Sequence, residues 1–295
     1  MSRRAIKLQW LYSFTAFMRN IYDLKQETGD LKDVRDVIAT LERISAAYIP
    51  ALRGHLSALE DYAAAMRNIY KKLGVREKKQ NDEGNRELLI VFSTDRGLVG
   101  GLNGKITDSA AEYLRENPGS LLAVFGEKGK EFLQMLHFSP DLFFKAPNDK
   151  PEINEINDFF EQIFGQDFNF SRISVCAPQF VSVLEQKPEI SVVWPAENSD
   201  DESENLESYS FVDPSRKRVA EFLRQKLLKL SIYEKALNGK LCEHAARMMA
   251  MSDAGKSAGK IIENLERQYF KSRQQMITKR LSEVFSAKQS LRQEV

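Results

Sequence analysis

Apolar residues recur at steps of three, four and seven through residues 213–295, and this spacing predicts one long helix. The pair Asp213-Pro214 provides a helix start, with an acidic N-cap followed by proline at the first helical position. At about 1.5 Å per residue, ~80 helical residues reach roughly 120 Å, which is too long for a compact domain to enclose. We therefore expect this helix to project and to pair with a second helix along its apolar positions. Those positions are Leu223, Leu227, Leu230, Leu237, Leu241, Met248, Met251, Ile262, Leu265, Tyr269 and Met276.

A second helical pattern covers residues 24–73, where steps of three and four give a single apolar stripe. Pro50 lies inside it, and we expect this proline to kink the helix or to divide it at Ile49. No other segment matches the C-terminal helix in length and period. The two ends of the chain are therefore predicted to pair, and the middle must be a separate insert.

The predicted insert, residues 86–212, alternates short apolar runs with helical patterns in the α/β manner. A polar linker (74–87) precedes it, and an acidic stretch (197–207), interpreted as a solvated loop, lies near its end. Predicted strands are 88–92, 121–125, 173–180 and 190–194, with 209–212 as a possible edge strand and 181–189 as loop or strand. Predicted helices are 105–116, one starting at 129–135, and 152–164.

Residues 1–23 form an N-terminal extension that is basic and aromatic, with no acid before Asp23. This composition fits an amphipathic surface helix or a targeting peptide. The alternatives are a disordered tail, or a misassigned start with Met18 as the true initiator. Because serine is scarce and no cleavage site is evident, we favour these alternatives over a targeting peptide.

The charge, hydropathy and cysteines of the chain argue against several classes of partner and site. Charged residues make up 29% of the chain, yet the net charge is only +1, so no bulk field indicates a nucleic acid or a membrane surface as partner. No run approaches the ~20 apolar residues of a membrane span, and any membrane association is expected to be peripheral. Cys176 and Cys242 fit no metal or redox spacing and are expected to be reduced.

The most distinctive stretch is the glycine-rich segment 93–104 between the first strand and the following helix. This layout is typical of phosphate-binding sites, but the glycine spacing matches neither the dinucleotide fingerprint nor the P-loop. We interpret it as a structural turn in which glycines allow close packing of helix on sheet, with Asp95 and Arg96 available to a neighbouring surface. The glycines that define the turn are Gly97, Gly100 and Gly101. A nucleotide-binding protein of the Rossmann type stays open as an alternative.

No catalytic constellation emerges from the titratable residues. The histidines His55, His137 and His244 are far apart in sequence, and His244 lies among the apolar positions of the long helix. We expect His244 to be packed against another helix rather than to act as a base or a ligand. The sequence thus predicts a protein that is not an enzyme and binds no cofactor or metal.

Three motifs resemble one known family, the gamma subunit of F-type ATP synthase. Residues 93–103 read Ser-Thr-Asp-Arg-Gly-Leu-Val-Gly-Gly-Leu-Asn, close to the family's Ser-Asp-Arg-Gly-Leu-Cys-Gly-Gly-Leu-Asn. Residues 243–251 and 273–283 are similar to its two C-terminal helix signatures, in the same order. The resemblance covers residues 24–291 and agrees with the layout predicted above.

The resemblance implies an antiparallel coiled coil of the N- and C-terminal helices with a Rossmann-like α/β domain inserted between them. It implies a rotor subunit that transmits torque during ATP synthesis or hydrolysis, peripheral to the cytoplasmic face of a bacterial inner membrane. The expected partners are the alpha and beta subunits, the epsilon subunit and the c-subunit ring, with no nucleic acid. By motif match, Arg247, Gln274 and Thr278 correspond to outward polar positions that contact the alpha/beta ring.

The chain also departs from the family pattern. Glu42 stands where the family has a basic residue, Pro50 is unusual in that helix, and the C-terminal residues 285–295 are more polar than the family's apolar tip. These differences favour a divergent form of the machine. They also leave open a coiled-coil scaffold that kept the gamma architecture without the rotor role.

Overall fold

The computed structural model describes the backbone of residues 3–73, 86–164, 170–195 and 215–293, with side chains for 21–73, 86–163, 170–195 and 215–289. Its helices are α1 (Arg3–Lys72), α2 (Leu102–Glu116), α3 (Glu127–Met135), α4 (Asn157–Phe164) and α5 (Arg216–Gln293). Its strands are β1 (Glu87–Phe92), β2 (Leu121–Phe125), β3 (Leu142–Phe144), β4 (Arg172–Phe180) and β5 (Gln186–Trp194), and a 3₁₀ turn covers Ile153–Ile156.

The chain divides into two compact units, each of which takes part of both long helices. The first unit contains residues 1–41 and 251–295, and the second contains residues 42–250. The sheet and its helices α2, α3 and α4 therefore belong entirely to the second unit.

Helix α1 differs from the prediction in two ways. It begins at Arg3 rather than at residue 24, because residues 3–28 contain no proline or glycine to end a helix. It also continues through Pro50 as one element, so of the two expected effects of this proline, a kink or a division at Ile49, the division does not occur. Ile49 and Leu52 on either side of the proline are buried against α5, and this packing holds the helix together where Pro50 removes a backbone hydrogen bond.

The sheet has the strand order β3-β2-β1-β4-β5. Strands β1 to β4 pair in parallel, and β5 runs antiparallel to β4 at one edge. Residues 181–189, predicted as loop or strand, contain the start of β5, in which Pro188 lies opposite Pro178. Proline is tolerated there because an edge strand has no second neighbour that requires its N–H.

Both faces of the sheet are covered at its central strand β1, which explains the uninterrupted apolar run of residues 88–92. One face contains Leu88, Ile90 and Phe92 and packs on α4 and α5, with Phe125 stacked on Phe92 at 4.7 Å between ring centroids. The other face contains Leu89 and Val91 and packs mainly on α2, α3 and α5. A strand covered on both faces is apolar at every position rather than at alternate ones.

Within the second unit, α1 and α5 pack through the predicted apolar positions. Leu237, Leu241 and Ala245 of α5 form a buried cluster with Ile49 and Leu52 of α1. A smaller cluster forms where α1 ends and α5 begins, and its buried members are Leu73, Ala220 and Leu223. The pairing of the two chain ends in this unit is thereby confirmed.

Within the first unit, Lys32 of α1 donates to Glu266 of α5 across 2.7 Å. Ala258 and Ile262 of α5 are buried, as is Thr28 of α1. The burial of Ile262 agrees with the heptad spacing, whereas Ala258 and Thr28 were not among the predicted apolar positions.

Strand β3 was not predicted from the sequence, because it has only three residues. Its position is set by Asp141, whose carboxylate accepts a hydrogen bond from the Leu122 backbone N–H at 2.8 Å. The predicted helix 152–164 is a 3₁₀ turn followed by α4, and its start is a capping box between Glu152 and Glu155. The possible strand 209–212, the acidic stretch and most of the polar linker lie outside the described residues. Among the described residues, no helix is long and apolar enough to cross a membrane.

Candidate partner-contact site

The glycine-rich turn after β1 is held by the side chain of Asp95. One of its carboxylate oxygens accepts hydrogen bonds from the backbone N–H of Glu127 at 3.0 Å and of Ala146 at 3.1 Å. Glu127 is the first residue of α3, and Ala146 lies just after β3. Asp95 therefore joins the turn after β1 to the start of α3 and to the segment after β3. Arg96 beside it is exposed.

Ser93 makes a second set of contacts at the same helix terminus. Its hydroxyl donates to the Phe125 carbonyl at 2.7 Å and accepts from the Gly129 N–H at 3.0 Å. The N-terminus of α3, the helix that follows β2, is thus occupied by Ser93 and Asp95 of the chain itself. These hydrogen bonds give Ser93 and Asp95 of the glycine-rich segment a structural role.

The close packing that was expected at the glycines of the turn occurs at two other glycines, Gly126 and Gly129. A Cβ added at Gly97, Gly100, Gly101 or Gly104 would meet no atom within 4 Å, so the expectation of tight helix packing there is wrong. Gly100 is needed instead for its positive φ of 59°. The close contact occurs at Gly129, where a Cβ would lie 2.1 Å from the Ser93 hydroxyl oxygen, and at Gly126.

Arg247, one of the three predicted contact residues, lies in the second unit and is largely buried. Its guanidinium donates to one Glu243 oxygen at 2.7 Å, and Lys240 donates to the other oxygen at 2.7 Å. These three side chains are 10%, 5% and 8% exposed in the order Arg247, Glu243, Lys240. The expectation that Arg247 points outward is therefore wrong in this chain, because Glu243 draws its guanidinium back along the helix.

His244 lies beside this ion cluster, packed between helices as predicted. Its ring stacks on Tyr48 of α1, and its Nε2 approaches an Asp149 carboxylate oxygen at 3.4 Å without hydrogen-bond alignment. Burial lowers the pKa of His244 below its ordinary value of 6.5. The carboxylates Glu243 and Asp149 act against that shift, while the cations Arg247 and Lys240 add to it. The imidazole is accordingly held neutral.

Gln274 and Thr278, the other two predicted contact residues, lie in the first unit and are exposed on α5. They are one helical turn apart, and the Thr278 hydroxyl donates to the Gln274 carbonyl at 3.1 Å. Together with Ser282 they line a shallow, open hollow on the helix surface. The amide of Gln274 therefore points where a partner can reach it.

Sequence reasoning missed Lys240 and Glu243. Their spacing contained the signal, because Lys240 precedes Glu243 by three residues and Arg247 follows it by four, the separations at which charged side chains meet on a helix. The spacing does not show that these side chains are buried. Burial matters because the loss of one partner would leave an unpaired charge inside the protein.

The arrangement as a whole defines a class of protein. Its distinctive polar groups are paired with one another or spread along one helix, and two long helices precede and follow a mixed five-stranded sheet. This is the build of a structural subunit with a long helix at each end of its sheet.

Comparison with known proteins identifies the family. The profile described as "ATP synthase" matches residues 20–291, and the chain belongs to this family. It is 25% identical to the ATP synthase gamma chain of Pelotomaculum thermopropionicum over 277 residues, which cover 90% of this chain and 97% of the relative. It is 24% identical to that of Geobacter sp. (strain M21) over 288 residues, covering 93% and 100%. The resemblance to gamma subunits is thereby confirmed, and this chain is a non-catalytic subunit.

Solved structures share the fold. A chain of the Euglena gracilis mitochondrial ATP synthase, from a structure of OSCP, F1 and c-ring, superposes with a TM-score of 0.66 at 15% identity, covering 92% of this chain and 94% of that one. A central-stalk/c-ring chain of the Tetrahymena thermophila enzyme gives 0.57 at 18% identity, covering 74% and 99%. At such identities the likeness concerns the fold.

Proposed function

We propose that this chain is the central-stalk rotor subunit of an F-type ATP synthase, which transmits torque between an ion-driven c ring and the catalytic alpha/beta ring. The observation that carries this proposal is the packing of α1 on α5 through heptad positions, with Leu52, Leu237 and Leu241 at its buried centre. A paired helix resists bending and twisting better than a single one, as a torque-bearing element requires. Catalysis then belongs to the beta subunits.

The partners follow from the family. The alpha and beta subunits would surround the paired helices, and the c ring and the epsilon subunit would contact the α/β part of the chain. The Euglena gracilis structure that shares this fold comprises OSCP, F1 and the c ring, in agreement with this assignment. We also propose that the chain lies at the cytoplasmic face of a bacterial inner membrane, peripheral to it. The α/β domain is proposed to be Rossmann-like, because strands β1 to β4 follow the order 3-2-1-4.

Gln274, Thr278 and Arg247 are proposed as contacts with the alpha/beta ring. Gln274 has its amide on an exposed helix face, suited to hydrogen bonds that form and break as the shaft turns. Arg247 uses a guanidinium N–H to hold Glu243, and this fork has further donors for a carboxylate that approaches from outside. Only 10% of the Arg247 side chain is exposed, so such a carboxylate would reach the guanidinium at that exposed edge.

Reconstitution with alpha and beta subunits tests the proposal. The wild-type chain should form a stable complex and show ATP-driven rotation. Gln274→Ala should lower the stall torque while the complex still assembles. Gln268→Ala, which removes an exposed amide of α5 outside the surface lined by Gln274 and Thr278, is the matched control. A chain that assembles with the ring but shows no rotation would indicate the scaffold alternative, and failure to assemble would overturn both.

A further inference from the structure

Basic side chains surround the place where the end of α1 packs on the start of α5. The buried centre of this junction is formed by Leu73, Ala220 and Leu223, so the two helix ends are held side by side. Around this centre, basic side chains of both helices are exposed to solvent. We name these side chains the basic collar, and its members are Arg67, Lys71, Lys72, Arg216, Lys217, Arg218 and Lys226.

The collar concentrates charge that the chain as a whole lacks. The net charge of the full chain is +1, yet the segment from Arg216 to Lys229 has six basic residues and a single acid, Glu221. The last six residues of α1, Arg67–Lys72, add three basic residues and no acid. Such local asymmetry in a nearly neutral chain indicates a surface for an anionic partner.

An exposed aromatic ring lies within the collar. Phe222 is 55% exposed, and the Lys226 ammonium lies 5.5 Å from the centre of its ring. Arg218, Phe222 and Lys226 follow one another at intervals of four residues, so all three lie on one face of α5. An apolar ring between two cations, all open to solvent, combines the two kinds of group that bind a lipid interface.

We propose that the basic collar binds the phosphate-bearing headgroups of anionic phospholipids, with Phe222 inserted at the boundary between headgroups and acyl chains. A lipid surface suits the collar better than an acidic polypeptide for two reasons. The cations are spread over two helices, which matches a continuous layer of phosphates rather than a few fixed carboxylates. Phe222 also requires an apolar phase that a highly acidic peptide does not supply.

This binding is interfacial and goes beyond the proposed rotor role. Arginine and lysine contact phosphate oxygens at the surface, and the guanidinium of Arg218 is suited to hold one phosphate through two parallel hydrogen bonds. The contact would keep this end of the paired helices at the membrane surface independently of any protein partner.

Vesicle co-sedimentation of the full chain tests the proposal. Vesicles that contain phosphatidylglycerol should bind the chain at low salt, and vesicles of phosphatidylcholine alone should not. Each basic residue near an anionic surface is worth roughly fivefold in partitioning, so Lys71→Gln/Arg218→Gln/Lys226→Gln should lower binding about a hundredfold. Phe222→Ser should also weaken binding, but it should leave the dependence on salt unchanged because no charge is removed.

A matched control separates the collar from net charge. Lys260→Gln/Arg267→Gln/Lys271→Gln removes two lysines and one arginine from exposed positions of α5 outside the collar, and it should bind phosphatidylglycerol vesicles as the wild type does. Equal losses of binding in both triple variants would overturn the proposal.

Displacement of the chain from the vesicles by inorganic phosphate, at a concentration equal to that of the lipid phosphate, would also overturn the proposal, because it would indicate a site for single ions. A third contrary outcome is that the chain binds a delipidated c ring, loses that binding in the collar variant, and does not bind vesicles. This result would assign the basic collar to a protein partner and overturn the lipid proposal. All variants are exposed-site changes, and their far-UV spectra should match the wild type.

Discussion

The imidazole of His244 stacks on the phenol ring of Tyr48, with the ring centroids 4.6 Å apart and the planes 21° from parallel. This contact joins α5 to α1 within the second unit. Both imidazole nitrogens are buried without a hydrogen-bond partner among the described residues, so the ring is held by packing alone. A histidine in this position favours its neutral form.

The first prediction concerns stability against pH. Because burial lowers the pKa of His244 in the folded chain, the unfolded chain binds a proton at this residue near pH 6.5 while the folded chain does not. Its contribution to stability is therefore complete above pH 6.5 and is lost progressively as the pH falls from 6.5 towards the lowered folded pKa. Urea unfolding at pH 7.5 and 5.5 should show this loss in the wild type.

His244→Phe keeps an aromatic ring for Tyr48 and removes the titration, so its free energy of unfolding should change less than that of the wild type between these two pH values. His55→Phe is the matched control, because His55 is exposed and no buried proton site is removed. The wild-type pH dependence should persist in that variant. If His244→Phe retains the same loss, titration of His244 is not its cause.

The second prediction concerns the ion cluster. Glu243→Gln leaves the buried cations Lys240 and Arg247 without their carboxylate, and we expect a loss of about 3–5 kcal/mol in the free energy of unfolding. Glu266→Gln removes one member of an ion pair with Lys32 whose side chains are 42% and 47% exposed, and should cost less than about 1 kcal/mol. Denaturant titration measures both, and similar values for the two variants would contradict the buried-cluster interpretation.

The third prediction compares two glycines. At Gly129 a Cβ would lie 2.1 Å from the Ser93 hydroxyl oxygen and 2.6 Å from its Cβ, so Gly129→Ala must displace α3 or β1. We expect a destabilisation of about 3 kcal/mol. Gly104→Ala in α2 meets no atom within 4 Å and should instead stabilise by about 0.5–1 kcal/mol, because alanine favours the helix. Thermal unfolding should therefore shift in opposite directions.

The fourth prediction concerns the two thiols. Burial raises the pKa of Cys176 to about 12, and it also raises the pKa of the Cys242 thiol, so neither forms the reactive thiolate at neutral pH. An aromatic disulfide reagent at pH 8 should label neither thiol in the folded chain and both after denaturation. Ser257→Cys places a thiol at an exposed position and serves as the positive control. Rapid labelling of native Cys176 would show that the sheet opens locally.

The parts of the fold that follow a period were predictable. The strand 121–125 was predicted with the boundaries that β2 has, and Leu237 and Leu241 are buried as the heptad spacing requires. The start of α1 was missed, since an unusual composition was interpreted as an extension although nothing in it ends a helix. Strand β3 was missed because three residues contain no measurable period.

The candidate site was less predictable than the fold. Motif similarity placed Arg247, Gln274 and Thr278 on the long helix, and all three were interpreted as pointing outward. The side chain of Arg247 turns back to Glu243, because burial between elements makes a lone charge costly and favours an internal pair. The close glycine contacts were assigned to the segment 97–104, when Gly126 and Gly129 meet Ser93 across a gap of more than thirty residues.

By itself, the sequence determined the long C-terminal helix, its pairing with the N-terminal helix and the α/β character of the insert. Apolar periodicity encodes these features locally, since each helix or strand must place its apolar face on one side. Only the tertiary structure decided which polar groups are buried, that Asp95 and Ser93 occupy the start of α3, and that basic residues from two distant segments form one collar. Such features depend on which segments come into contact in the folded chain. Those segments are far apart in the sequence, and the local pattern of apolar residues does not show which of them will meet.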